Sequence, residues 1–311
     1  MRIVSKIINR ICVISRRIIN RSVLHIYPSE QGGWIKDNSF CIDSNDIYFD
    51  PYSLEGERTY LFVSNRNKRS IERFDVNNDM TLRNCTTVLM PGSEGNWDEI
   101  VNRACVVKYD EIWHMWFTGQ QGKQSCIGYA SSIDGIHYKK REKPVMVPQE
   151  PYEAESIMNP SVLWDSSDHC FKMWYVAGEQ YEPDVICYAT SEDGIEWDRS
   201  KSNPVLTKGT APYDKAKVGG PDVRKCGESY VMFYIGYQNV DNARICIAHS
   251  EDGISWTRDE ANPILSPTKG GWDSDAVYKP CVIESEDKIF LYYNGRKKDH
   301  ETIGIAYKDK R

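Results

Sequence analysis

Three stretches of this chain are copies of one another at a fixed interval, and that repeat narrows the possible folds more than any other feature. Ile127–Tyr138, Ile186–Trp197 and Ile245–Trp256 share the pattern Ile-x-x-Ala-x-Ser-x-Asp-Gly-Ile, and their glycines are Gly135, Gly194 and Gly253. The period is therefore 194 − 135 = 253 − 194 = 59 residues. Each copy is followed by a related run, Lys143-Pro-Val-Met146, Asn203-Pro-Val-Leu206 or Asn262-Pro-Ile-Leu265. Each is preceded by an aromatic one, Met115-Trp-Phe117, Met173-Trp-Tyr175 or Met232-Phe-Tyr234. Partial copies stand near the start (Tyr60–Ser64, Ile71–Phe74) and at the end (Leu291–Gly295, Ile303–Ala306). A repeat of this length marks an array of supersecondary units that stack on their neighbours.

Each unit reads as four strands. A Pro-x-Val strand comes first, then the aromatic strand, then Ile-x-x-Ala, then the strand around Asn-Pro-Val-Leu. The Asp-Gly pair between the third and fourth is a strong hairpin signal, because Gly accepts positive φ without a Cβ clash. Four-stranded units repeated radially make a propeller, and five units fit. The last unit ends after its third strand, while Trp34–Ile42 precedes the first with the character of a strand. The expectation is all-β: a five-bladed β-propeller closed by an N-terminal strand, spanning residues 27–311 and preceded by an amphipathic N-terminal helix at 1–26. Closure from the opposite terminus removes an exposed sheet edge.

Charge separates these two parts. The chain carries −6 overall, yet between Met1 and Tyr27 there are six Lys or Arg and no acid. An acidic body argues against nucleic acid as a partner. In the first segment Ile3, Val4, Ile7, Ile8, Ile11, Ile14, Ile18 and Ile19 recur at helical spacing. No apolar run there is long enough to span a bilayer. The pattern suits a basic amphipathic helix lying on an anionic membrane surface through residues 2–21, or one packed on the propeller or a partner chain. Ten cysteines include Cys105, Cys187, Cys246 and Cys281 in strand-like runs, where a small apolar side chain packs. No Cys/His cluster has metal-ligand spacing. The expectation is reduced thiols, no metal, no cofactor, and a cytoplasmic protein held peripherally at the inner face of the membrane.

Blades carrying Met-Trp-Tyr, Ile-Gly-Tyr-Ala-x-Ser-x-Asp-Gly and Asn-Pro-Val-Leu resemble those of the five-bladed glycosidase superfold shared by glycoside hydrolase families 32, 43 and 130. The resemblance covers residues 34–311 and extends to uncharacterised bacterial members found with surface polysaccharide genes. It implies a carbohydrate ligand bound at the axial funnel. The architecture rules out a Rossmann-type nucleotide-sugar transferase, since no glycine-rich loop is present.

Aligning the first strands on Pro51, Ala104, Pro160, Pro221 and Pro280 puts Asp50, Arg103, Asn159, Gly220 and Lys279 immediately before them. That ring is polar for the most central positions of a fold. Asp50-Pro51 is similar to the Asp-Pro of family 43, whose aspartate is the general base. In the same comparison Asn159 replaces an aspartate that tunes the acid, and Gly219 replaces the general acid Glu. Glycosyl transfer needs two carboxyl groups, so Asp50 is joined by Glu155, Asp222 and Asp275 as candidate catalytic acids. Arg103, Asn159, Arg224 and Lys279 are the candidate binding residues. The cations among them suit an acidic or phosphorylated sugar and bring phosphorolysis into view. Two alternatives stay open: these carboxylates pair with Arg103, Arg224 and Lys279 in the channel wall, or the protein is a non-catalytic glycan-binding or assembly protein. Asp134, Asp193 and Asp252 recur once per unit at a hairpin and read as turn chemistry.

Overall fold

The computed structural model describes residues 26–42, 44–179 and 183–310. The amphipathic helix expected at 2–21 lies outside the described residues. Among the described residues there are twenty strands. The first, β1 (Ile35–Cys41), is set apart from four consecutive antiparallel sets. These are β2 (Tyr48–Leu54), β3 (Thr59–Asn65), β4 (Ser70–Val76) and β5 (Leu82–Leu89); β6 (Ile100–Tyr109), β7 (Ile112–Gln121), β8 (Gln124–Ser132) and β9 (Lys139–Lys140); β10 (Ser156–Asp165), β11 (Cys170–Gly178), β12 (Pro183–Ser191) and β13 (Asp198–Arg199); and β14 (Lys217–Cys226), β15 (Ser229–Asn239), β16 (Asn242–Ser250) and β17 (Thr257–Arg258). The last set is β18 (Ala276–Glu284), β19 (Lys288–Lys297) and β20 (His300–Asp309), with β1 paired antiparallel to β20.

The apolar core lies between sets, as the repeat demands. Trp116 and Cys105 of the second set pack with Phe171, Tyr175 and Trp197 of the third. Trp174 of the third packs with Tyr230 and Tyr234 of the fourth. Tyr48, Leu61 and Phe74 of the first set pack with Cys281, Tyr292 and Ile305 of the last. The Asp-Gly turns add polar ties. Trp116 Nε1 donates to Gly194 O and Trp174 Nε1 to Gly253 O, both at 2.8 Å, so an indole of one set holds the turn of the next. Within each turn one oxygen of Asp134, Asp193 or Asp252 accepts the backbone N–H groups two and three residues on.

One expectation needs correcting. The fourth strand is not built around Asn-Pro-Val-Leu. In the second to fourth sets it is a two-residue strand directly after the Asp-Gly turn, and the Pro-containing run returns to make a single bridge at Met146, Leu206 or Leu265. Proline has no N–H to give a ladder. The preceding asparagine takes over instead: Asn203 accepts from Tyr188 N–H and donates to Tyr188 O, and Asn262 does the same with Ile247.

A second repeated contact was not visible in the motifs. Lys140, Arg199, Arg258 and Lys36 each lie opposite the alanine of Ile-x-x-Ala, namely Ala130, Ala189, Ala248 and Ala306. Each meets a buried carboxylate just before the first strand of its set: Asp98, Glu153, Asp214 and Asp273 respectively. Each also donates to a carbonyl that follows the preceding outer strand, of Met90, Val147, Thr207 or Ser266. Lys36, from the other end of the chain, thus makes the same contacts for the last set that Arg199 and Arg258 make for theirs.

Candidate active site

All five first strands break register at the same place. The irregularities fall between Phe49 and Tyr52, Asn102 and Cys105, Met158 and Ser161, Gly219 and Asp222, and Tyr278 and Cys281. Inside each lies one of the aligned residues, and Asp50, Arg103, Asn159, Gly220 and Lys279 all have φ between 50 and 54°. A bulge re-aims its side chain out of the pleat. Four non-glycine residues in the left-handed region cost on the order of 1–3 kcal/mol each, a strain that concentrates at functional sites. Three of the bulged N–H groups are held by the preceding set: Arg103 N donates to Ser64 Oγ, Asn159 N to Thr118 Oγ1, and Asp50 N to Asn294 Oδ1 of the last set.

Asp50, Arg103 and Asn159 line one cavity of about 110 Å³, together with Tyr237, Tyr278, Arg296 and apolar side chains. Asp50 Oδ2 lies 3.3 Å from Arg103 Nε. That contact brings the charges together without an aligned hydrogen bond, so Oδ2 keeps its accepting capacity although it is buried. Asn159 Oδ1 is likewise buried without a hydrogen-bond partner. Unpaired buried acceptors are costly unless a ligand or water serves them. Lys279 is 1% exposed. Its stem passes over Gly220, where an added Cβ would stand 3.5 Å from Lys279 Cδ and 2.4 Å from Ile235 Cδ1. Glycine at that position leaves space for Ile235, and its φ of 51° favours a residue without Cβ.

The other candidates lie elsewhere. Asp222 is buried and bound: Oδ2 accepts Val282 N–H at 2.8 Å and meets Arg224 Nη2 at 3.2 Å. It fills the same inter-set slot as Cys105 Sγ, which accepts Val162 N–H, and Ser161 Oγ, which accepts Val223 N–H. Arg224 is taken up by Glu55, Ser53 Oγ and Val282 O as well. Glu155 is exposed, and Asp275 accepts Lys298 N–H at 2.7 Å. None of these four lines the cavity. The channel-wall pairing weighed from the sequence therefore describes Asp222 with Arg224 and Asp50 with Arg103; each aspartate keeps one buried oxygen without a hydrogen-bond partner, and what separates Asp50 is its place in the cavity lining.

Two groups escaped the sequence reading. Arg296 lines the cavity on β19, and Glu301 lies opposite it on β20. Glu301 is 6% exposed and takes a hydrogen bond from Arg66, whose guanidinium covers the Phe49 ring beside Asp50. Burial pushes the Glu301 carboxyl up to about 7; Arg66 and Arg103 oppose that rise and the charge of Asp50 adds to it. A signal was available. Arg66, Gln120, Gly178, Tyr237 and Arg296 each stand two residues past the column Ser64, Thr118, Val176, Ile235 and Asn294. Reading the repeat by columns beyond its motifs reaches Tyr237 and Arg296.

No group of three or more His, Cys, Asp or Glu side chains placed to hold a metal ion occurs among the described residues. Residues 84–211 match the family described as Glycosyl hydrolases family 32 N-terminal domain. A 1,2-beta-oligomannan phosphorylase of Thermoanaerobacter sp. (strain X514) is 30% identical over 221 residues, covering 67% of this chain and 68% of that protein. An uncharacterized protein of Mycobacterium tuberculosis (strain ATCC 25618 / H37Rv) is 26% identical over 231 residues, 70% of this chain and 75% of its own length. Among solved structures, a thermostable family-43 glycoside hydrolase superposes with a TM-score of 0.66 at 18% identity, covering 86% of this chain and 93% of that one.

Proposed function

The chain belongs to the β-propeller glycosidase superfamily that includes the 1,2-beta-oligomannan phosphorylase, and from that premise we propose that it removes or transfers the terminal glycosyl unit of a glycan in the cavity at Asp50. It is a carbohydrate-active enzyme, and mannosides are the first substrates to examine. The observation that carries the reading is a pair of carboxyl groups in unlike surroundings. Asp50 lines the cavity with an open acceptor oxygen against Arg103, and Glu301, opposite the lining residue Arg296 and not itself in the lining, has its carboxyl raised by burial to about 7. Such a split is how acid and base roles are divided. Glu301 gives its proton to the glycosidic oxygen, the bond from that oxygen to the anomeric carbon breaks, and the alcohol leaves. Asp50 takes a proton from the water that attacks the anomeric carbon. A cavity of about 110 Å³ is small beside the roughly 300 Å³ at which ligand pockets begin, which favours the end of a glycan over its middle.

Phosphorolysis is the second reading, favoured by two cations, Arg103 and Arg296, in the lining of one cavity. Phosphate then replaces water as the attacking group, and the product is a sugar phosphate. Incubation with β-1,2-linked mannooligosaccharides, with and without inorganic phosphate, separates the two by mass spectrometry. Free mannose in both arms supports hydrolysis, and mannose phosphate only with phosphate supports phosphorolysis. No product from a wide oligosaccharide panel in either arm favours the non-catalytic glycan binder.

We read the twenty strands as five blades, closed by β1 and spanning residues 27–311 as one domain. The packing of the last set on the first and the Lys36–Asp273 pair support this.

A further inference from the structure

Two buried amides stand behind the cavity. Asn102 immediately precedes the bulged Arg103 and is 3% exposed; Gln120, on the neighbouring β7, is 7% exposed. Neither lines the cavity. At the matching point of the other first strands stand Phe49, Met158, Gly219 and Tyr278, so an amide occurs there in the second set alone. Burying two polar side chains costs free energy unless each finds a partner, and here they find each other. Asn102 Nδ2 donates to Gln120 Oε1 at 2.6 Å, and Asn102 Oδ1 accepts from Arg103 Nη1 at 2.9 Å. Chemistry fixes the direction of this chain. A guanidinium only donates, so Asn102 turns its oxygen to Arg103 and its NH2 to Gln120, which answers with its own oxygen.

Arg103 is thereby held at both ends. Its backbone N–H is taken by Ser64 Oγ and its guanidinium by Asn102. Nε then lies 3.3 Å from Asp50 Oδ2, near enough for the charges to attract, while Oδ2 stays without a hydrogen bond. Arginine beside a carboxylate otherwise favours two parallel bonds. Arg199 makes them with Glu153, from Nε to Oε1 at 2.8 Å and from Nη2 to Oε2 at 3.3 Å. The same closure at Asp50 would fill its acceptor sites and turn the guanidinium away from a ligand. Arg296, the other guanidinium in the lining, is also held by a neutral oxygen, the Asp241 carbonyl at 2.9 Å. A neutral acceptor sets direction without cancelling the charge.

We propose that Asn102 and Gln120 are positioning residues: they restrain the Arg103 guanidinium from closing on Asp50 as a two-bond pair, and so keep both groups open to the glycan. This rests on the reading of the cavity as a carbohydrate site with Asp50 as base. Both amides act through Arg103.

The restraint is read without substrate from the side-chain N–H resonances of Arg103 in 15N-labelled protein, assigned by their loss in Arg103→Lys. In the wild type the Nη1 and Nη2 protons should give separate signals, because the bond to Asn102 hinders rotation of the guanidinium. Asn102→Leu, similar in volume and without an acceptor, should merge them. Gln120→Glu, which still offers an oxygen to Asn102 Nδ2, should keep them apart. In turnover of β-1,2-linked mannooligosaccharides, Asn102→Leu should lower kcat about ten- to a hundredfold, with a smaller change in KM. Gln120→Leu should lower kcat less, and Gln120→Glu should recover most of that loss. The double variant Asn102→Leu, Gln120→Leu should be no slower than Asn102→Leu, since the two amides form one chain. Where Asn102→Leu does not fold, Gln120→Leu carries the same tests. Unchanged Arg103 signals in the leucine variants overturn the proposal, and so does a wild-type kcat in a variant whose signals have merged. Loss of rate that only tracks the unfolded fraction, read by circular dichroism, reduces the amides to core packing and overturns it too. No turnover by the wild type, with or without phosphate, sinks the enzymatic reading instead, and the Arg103 signals then decide the restraint by themselves.

Discussion

Two sets of repeated positions run through this molecule, one beside the outer strands and one at the axis, and they follow opposite rules. At the outer set the chemistry is copied: Asp98, Glu153, Asp214 and Asp273 each meet one cation from the fourth strand. In three of these the tyrosine at the same point of the second strand donates to the carboxylate as well: Tyr175, Tyr234 and Tyr293. At the axis only the backbone is copied. Five residues share a φ of 50–54°, yet they are Asp, Arg, Asn, Gly and Lys. Stability is served by one good solution used at every unit. A site must turn different groups onto one ligand, so the same bulge presents a carboxylate in one set, a guanidinium in the next, and no side chain at Gly220.

The sharpest test of that contrast is Asp50→Asn. Turnover should fall about a thousandfold, with thermal stability unchanged or slightly raised; a large loss of stability instead would place Asp50 with the outer carboxylates. Asp214→Ala should do the reverse. Removing one partner of a buried pair costs about 3 kcal/mol, read from urea unfolding, while the folded fraction keeps a near-normal rate. Loss of rate without loss of stability would break the comparison from the other side.

Glu301→Gln comes next in size. The wild-type rate should fall as pH rises through about 7, where Glu301 loses its proton. The variant should be slower by tens of times and lack that limb. Arg66→Ala should move the limb upward, since Arg66 holds the carboxyl down. The stability sign follows from the same shift. A folded-state carboxyl raised above its unfolded value contributes stability that is full below the ordinary Glu range and is lost as pH climbs to about 7. Glu301→Gln should remove that slope from a series of unfolding curves. The smallest effect is expected at the repeated turns. Asp193→Ala forfeits the acceptor for Ile195 and Glu196 N–H and should cost about 1 kcal/mol, with turnover untouched. A change in rate there would mean that a repeated, symmetric position also serves the site.

What the sequence alone determined was the local and the periodic. The 59-residue spacing specified the units, the Asp-Gly pairs specified their turns, and alignment on Pro51, Ala104, Pro160, Pro221 and Pro280 found the ring of bulged residues without reference to φ. These follow from side-chain alternation and turn stereochemistry, which act over a few residues and repeat with the chain. Tertiary structure decided which polar groups meet. Asp222 and Asp50 look alike in sequence, two residues apart in repeat alignment, but one faces a neighbouring Val282 N–H and the other a cavity. Glu301 carries no motif; its carboxyl is set by burial and by charges from Arg66, Arg103 and Asp50, residues some 200 or more positions away in the chain. Electrostatic environment is a sum over neighbours in space, and a linear pattern holds no record of that sum.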